Sequence, residues 1–124
     1  MQERFPSDWP RCRGWIEASA AFSPLADSIE QIEDKLADGR LQLWPGENSA
    51  AVTEIASFGR RKALIVRYGG GDLDELLNKI EPALCAVARA LGCTLIMSEG
   101  RMGWKKAAEA NGYRFAWLTI LKEI

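Results

Sequence analysis

The sequence predicts an α/β (α+β) domain in three layers, a mixed and mostly antiparallel sheet with helices on both faces. Three observations carry this. The apolar spacing changes from helical to alternating at Leu41. Two short turn signals, Pro45-Gly46-Glu47-Asn48 and Gly59-Arg60, then separate three strand-like runs. Finally, a long helical stretch stands between the third run and a fourth, which makes those two strands parallel through a right-handed crossover.

The elements follow in order. Ser7-Asp8-Trp9-Pro10 is a helix-start signal. Trp15, Ile16 and Phe22 form the expected buried side of that helix, and Pro24 ends it. A second helix has Asp27 and Glu30 at capping-box spacing, Ile29, Ile32 and Leu36 on one face, and Gly39 as its C-terminal cap. Strands are expected at Leu41 to Trp44, Ala50 to Phe58 and Lys62 to Tyr68. The third contains Ala63-Leu64-Ile65-Val66, a continuous apolar run that suits a central strand covered on both faces. Gly69-Gly70-Gly71 reads as a turn, followed by a helical stretch from Asp72 to Leu91 that Pro82 either kinks or divides. Asp72 and Glu75 have the spacing of a self-capping helix start. Cys93 to Met97 is the fourth strand, Gly103 to Ala110 a short helix, and Arg114 to Leu121 the last strand.

The chain has 124 residues and a formal net charge of -1, which fits one domain over residues 1–124 and argues against binding nucleic acid through its whole surface. No apolar run reaches the roughly 18 residues of a membrane span, and Met1 to Pro10 lacks the apolar stretch of a secretion signal. The expected location is the cytoplasm, with no membrane and no nucleic acid as partner. The three cysteines, Cys12, Cys85 and Cys93, have no pairing pattern and are expected to be reduced and structural. The chain contains no histidine, which removes the commonest general base and metal ligand. No metal site is expected.

Several stretches resemble the GNAT (Gcn5-related N-acetyltransferase) superfamily. Ala88-Arg89-Ala90-Leu91-Gly92 is similar to the A-x-x-x-G end of its main helix, and Gly112-Tyr113 to the G-[FY] pair before its final strand. More narrowly, the set Leu41-Gln42-Leu43-Trp44, Ala51-Val52-Thr53-Glu54-Ile55, Arg60-Arg61-Lys62, Gly70-Gly71 with Leu73-Asp74-Glu75, Gly92-Cys93 and Gly100-Arg101-Met102-Gly103-Trp104 resembles a GNAT-like group encoded in phages and prophages. The resemblance covers roughly Leu41 to Lys122. It implies a GNAT-like fold whose usual first strand, confined to Met1 to Phe5, is short or missing. It also implies that the third and fourth strands splay to admit acetyl-CoA, with the pyrophosphate on a loop of pattern [RQ]-x-x-G-x-[GA].

That loop pattern is altered. Arg67-Tyr68-Gly69-Gly70-Gly71-Asp72 fits except that Asp72 replaces the last small residue, and the alternative register, Leu77 to Glu81, holds no glycine. Arg67, Gly69, Gly70 and Gly71 are therefore the candidate cofactor-binding residues, with a plain flexible turn as the other reading. Asp72, Asp74 and Glu75 place negative charge where a pyrophosphate would sit. Many GNAT enzymes carry a tyrosine four residues before the closing pair, where this chain has Ala108. Tyr113 is expected to fill core space. Glu54, in mid-strand, and Glu99, at the end of the fourth strand, are the candidate catalytic bases, although an isolated glutamate at either place is more often a solvated or Arg-paired carboxylate. Arg60, Arg61 and Lys62, and Arg101, Lys105 and Lys106, form two basic clusters that read as solvated, salt-bridged surface or as contacts with an acidic partner or with cofactor phosphates. Trp104 reads as a core anchor or as an interface residue.

These features lead to two expectations. One is a catalytically degenerate domain that works as a binding or assembly module without a cofactor. Its partner would be a protein, either a second copy or a component of a phage particle, which would then be its location. The other is an active N-acetyltransferase that uses acetyl-CoA.

Overall fold

The computed structural model describes residues 7–99, 105–116 and 119–124. The order is α1 (Trp9–Ala20), α2 (Ile29–Ala37), β1 (Gln42–Pro45), β2 (Ser49–Phe58), β3 (Arg61–Gly71), α3 (Leu73–Glu75), a π-helical turn (Leu76–Ile80), α4 (Glu81–Ala90), β4 (Leu95–Ser98) and α5 (Lys105–Ala110). The strands form one sheet in the order β1-β2-β3-β4. β1, β2 and β3 are antiparallel neighbours, and β3 and β4 run parallel, as the helical crossover between them predicts.

Two apolar cores make the three layers. On one face, Trp9, Cys12 and Ile16 of α1 and Ile32 and Leu36 of α2 pack with Leu41, Ala50, Val52 and Tyr68. On the other, Leu76, Ile80, Leu84 and Ala88 pack with Ala51, Leu64 and Cys93. In β3, Ala63, Leu64 and Ile65 are buried between two neighbouring strands and two helical layers, as their unbroken apolar run predicts.

Several expectations are corrected. Phe22 is 60 % exposed, and Trp9 and Cys12 take the buried positions of α1 beside Ile16. The capping box of α2 is Ser28 with Gln31, because Asp27 is drawn away by Lys35 and Tyr68. Gly69, Gly70 and Gly71 are not a turn: they continue β3 and pair with Ala51, Ala50 and Ser49. Close packing requires glycine at two of them, Gly70 and Gly71. A Cβ at Gly70 would lie 2.6 Å from the carbonyl oxygen of Trp15, so α1 sits directly on this part of the strand. Gly71, at φ +96°, abuts the backbone of Asn48 and Ser49. Pro82, as expected, stands where the helical stretch divides, one residue into α4. It lies in the first turn of α4, where a missing N–H is tolerated, and the π turn precedes it.

The last strand, expected over Arg114 to Leu121, is not formed among the described residues 113–116 and 119–124. The short first strand expected in Met1 to Phe5, and the expectations for Arg101 and Trp104, fall outside the described residues.

Candidate functional site

The irregular part of the sheet begins at Arg67. Thr53 pairs with Val66 and Val52 with Tyr68, so Arg67 is an extra residue in β3, a β-bulge. Bulges bend a strand and increase its twist. The pairing of β3 with β4 ends at the same place, at Val66 opposite Ser98. Beyond it, Arg67 to Gly71 continue along β2 without a β4 partner. The two parallel strands therefore separate, and a cleft of about 500 Å³ opens there. Val66, Arg67, Tyr68 and Gly69 line one side, Ser98 and Glu99 another, and Ser19 at the end of α1 with Phe22, Ser23, Pro24 and Leu25 of the α1–α2 connection face them, with Thr119 and Leu121 completing the wall.

The cleft brings together Arg67, Gly69 and Glu99 of the sequence candidates. Gly70 and Gly71 are not among its lining residues, and they face α1 and the β1–β2 turn instead. Glu54 is half-buried in β2 opposite Ile65, away from the lining.

The helix start after Gly71 meets its own hydrogen-bonding needs. Asp72 Oδ1 accepts from the backbone N–H of Asp74 at 2.9 Å and of Glu75 at 3.4 Å. The Asp72 N–H donates to the Asn48 carbonyl at 2.9 Å. Asp72 is thus the cap its spacing predicts, but Glu75 does not return to it. The Glu75 carboxylate turns to the β1–β2 connection, where it accepts from the Ser49 hydroxyl and, at 3.0 Å, from Asn48 N–H. These donors, the hydroxyl first, hold the Glu75 carboxyl below the usual carboxylate range. A Cβ at Gly46 would collide with that carboxylate. Glu75 therefore clamps a turn, and its charge is balanced by donors on that side.

Sequence reasoning gave no signal for Ser19, Asp27 or Lys35 as partners of β3. Ser19 Oγ accepts the Gly69 N–H at 3.1 Å. The next residue, Tyr68, accepts the Asp27 N–H at its hydroxyl at 3.0 Å and donates to Asp27 Oδ2 at 3.3 Å. Lys35 Nζ contacts both oxygens of that carboxylate at 3.0 Å. A helix-end serine and a tyrosine far along the chain show no spacing pattern, so only the folded contacts reveal the pair.

Other polar contacts tie elements of the fold together. Arg61 binds Thr94, and Lys62 donates to the Leu91 carbonyl at 2.8 Å, so this basic cluster ties β3 to the end of α4. Glu81 Oε1 accepts from Cys85 at 2.9 Å and from Tyr113 at 3.3 Å. Burial and Glu81 push the Cys85 thiol up to about 11, so it is protonated and unreactive at neutral pH. Burial, with Glu81 next, also raises Tyr113. Cys12, Cys85 and Cys93 are free. Among the described residues no cluster of His, Cys, Asp or Glu is placed to hold a metal ion, and no helix is long and apolar enough to cross a membrane.

An acetyltransferase of Trypanosoma brucei superposes with a TM-score of 0.65 over 99 % of this chain and 96 % of its own, at 16 % identity. A probable acetyltransferase superposes with a TM-score of 0.65 over 97 % of this chain and 95 % of its own, at 14 % identity. The chain has a GNAT-like acetyltransferase fold. The wild-type TTHA1254 protein of Thermus thermophilus has the same fold, with a TM-score of 0.64, 18 % identity, and coverage of 100 % of this chain and 97 % of that one. No protein-family model matches the sequence, and no curated protein matches it. The splayed strands and their cleft lie within this acetyltransferase fold.

Proposed function

We propose that this acetyltransferase-fold chain is catalytically degenerate and works as a binding or assembly module that holds acetyl-CoA weakly or not at all. The observation that carries this reading is the occupied helix start. Asp72 takes the N–H groups of Asp74 and Glu75, and its own N–H is taken by Asn48. A pyrophosphate needs such donors free and a field that favours anions, whereas here the exposed carboxylates of Asp72 and Asp74 stand at the helix start. Ala108 in place of the tyrosine that the resemblance calls for supports the same reading. The partner would be a protein, either a second copy or, as the resemblance implies, a component of a phage particle. The chain would then be found in the cytoplasm or in that particle.

Calorimetry with acetyl-CoA tests the reading. Little or no heat at micromolar ligand is expected for the wild type, and binding is expected to strengthen in the double variant Asp72→Gly, Glu75→Gln. Micromolar binding by the wild type sinks the proposal.

One observation favours a second reading, an active N-acetyltransferase. Glu99 lines the same cleft as the unpaired edge of β3, where a carboxylate could take a proton from an amine acceptor, directly or through water. Acetyl transfer that is abolished in Glu99→Gln would establish it.

A further inference from the structure

Among the described residues the edge of β3 beyond Val66 has no neighbouring strand, which makes it the natural docking line of the cleft, because such an edge offers backbone N–H and C=O groups to an extended ligand. The Gly69 N–H lies on this stretch, yet it is taken by the Ser19 hydroxyl at 3.1 Å. Ser19 and Gly69 both line the cleft. The connection that follows Ser19 is pinned again at its far end, where Asp27 is bonded to Tyr68 and Lys35. Two adjacent residues of β3, Tyr68 and Gly69, thus grip both ends of the α1–α2 connection. Between the grips, Phe22 and Leu25 are 60 % and 63 % exposed at the cleft wall.

We propose that Ser19 is a specificity-determining residue of the cleft: its hydroxyl stands where the carbonyl oxygen of an extended amide- or thioester-bearing ligand would accept the Gly69 N–H. The reason is competition for one donor. A ligand carbonyl gains that hydrogen bond only when Ser19 gives it up, so the exchange gains little for the ligand. Removing the hydroxyl leaves the N–H for the ligand alone. The inference rests on the acetyltransferase-fold reading of the cleft and adds to it a determinant separate from the capped helix start.

The test measures acetyl-CoA affinity for the wild type, Ser19→Ala and Ser19→Thr, with the backbone amide of Gly69 followed by NMR. Ser19→Ala is expected to bind roughly three- to tenfold more tightly than wild type, the range that one neutral hydrogen bond spans. Its Gly69 amide should shift on titration, and Ser19→Thr, which keeps the hydroxyl, should stay at the wild-type affinity. Equal or weaker binding by Ser19→Ala, no binding by it at millimolar acetyl-CoA, or an unmoved Gly69 amide overturns the inference. An equal gain in Ser19→Thr also overturns it, since the cause would then be a loosened connection. These failures leave the reading from Asp72 in place, which fails only if the wild type itself binds at micromolar concentration.

Discussion

The two halves of β3 solve opposite problems with the same backbone. From Ala63 to Val66 the strand has a neighbour on each side, and its bulky apolar side chains fill the layers above and below. From Arg67 to Gly71 it has, among the described residues, a neighbouring strand on one side only, and its glycines let α1 and the β1–β2 turn approach the main chain. The first half is held by side-chain volume and the second by the lack of it. The Arg67 bulge marks the change, and the cleft opens there. A cleft between parallel strands thus needs no special loop, only a bulge and a strand that continues past its partner.

The largest effect should come from the first half. Leu64 is 1 % exposed, and Leu64→Ala should cost about 2–5 kcal/mol, read as a lower denaturant midpoint. If the loss is no greater than that of a surface substitution, side-chain volume does not hold this half. Gly70→Ala reverses the chemistry, because it adds one carbon where the Trp15 carbonyl leaves no room. About 1–3 kcal/mol should be lost to overpacking, with the chemical shifts of α1 displaced. Unchanged stability would show that α1 does not rest on the strand.

A third prediction concerns the join between this half and the next helix. Asp72→Ala removes the cap and should cost about 0.5–2 kcal/mol in thermal or chemical unfolding. An unchanged midpoint would place the effective start of the helix further on, at Pro82.

The smallest effect is one of pH. The Glu75 carboxyl is held below its usual range in the folded chain, so the folded state takes up that proton less readily than the unfolded state. The stability it lends is present above the unfolded glutamate value of about 4.3 and is lost as pH falls through the lower folded value. Melting should therefore weaken as the pH is lowered from about 6 to about 3, and Glu75→Gln should remove part of that dependence. Glu33 and Asp38, which are also lowered, contribute to the remainder. An identical pH profile in Glu75→Gln would show that the clamp on the β1–β2 turn contributes nothing measurable.

The comparison also explains what is legible in the sequence. Bulk and period are written locally, so the apolar half of β3, the meander and the parallel crossover can be read directly. Asp72 can be read as well, because a cap acts within one turn. The glycine half cannot. A triple glycine has one local meaning, freedom, and the contrary meaning here, close approach, depends on Trp15 and Asn48, which are distant in sequence. Asp27 misleads for the same reason: its local spacing suits a cap, while Tyr68, 41 residues away, claims it. Of the site, Arg67, Gly69 and Glu99 can be named as candidates, but Ser19 only once the fold has brought it to Gly69.

The π turn has a consequence for how this helical stretch tolerates change in length. Leu76, Ile80, Leu84 and Ala88 recur every fourth residue and all face one core. In a regular α-helix each such step overshoots a full revolution by roughly 40°, so the row would wander around the axis. The wider π turn slows the winding over its own five residues and brings the row back into phase. It acts as a built-in frameshift. Rewinding Leu76–Ile80 as ordinary α-helix at unchanged length would put its two ends out of phase by about 100°, whereas deleting one residue there would leave an ordinary helix whose ends keep their phase. A one-residue deletion within Leu76–Ile80 should therefore keep both the α4 row on the sheet and Glu75 at Ser49, and be tolerated better than the same deletion inside α4.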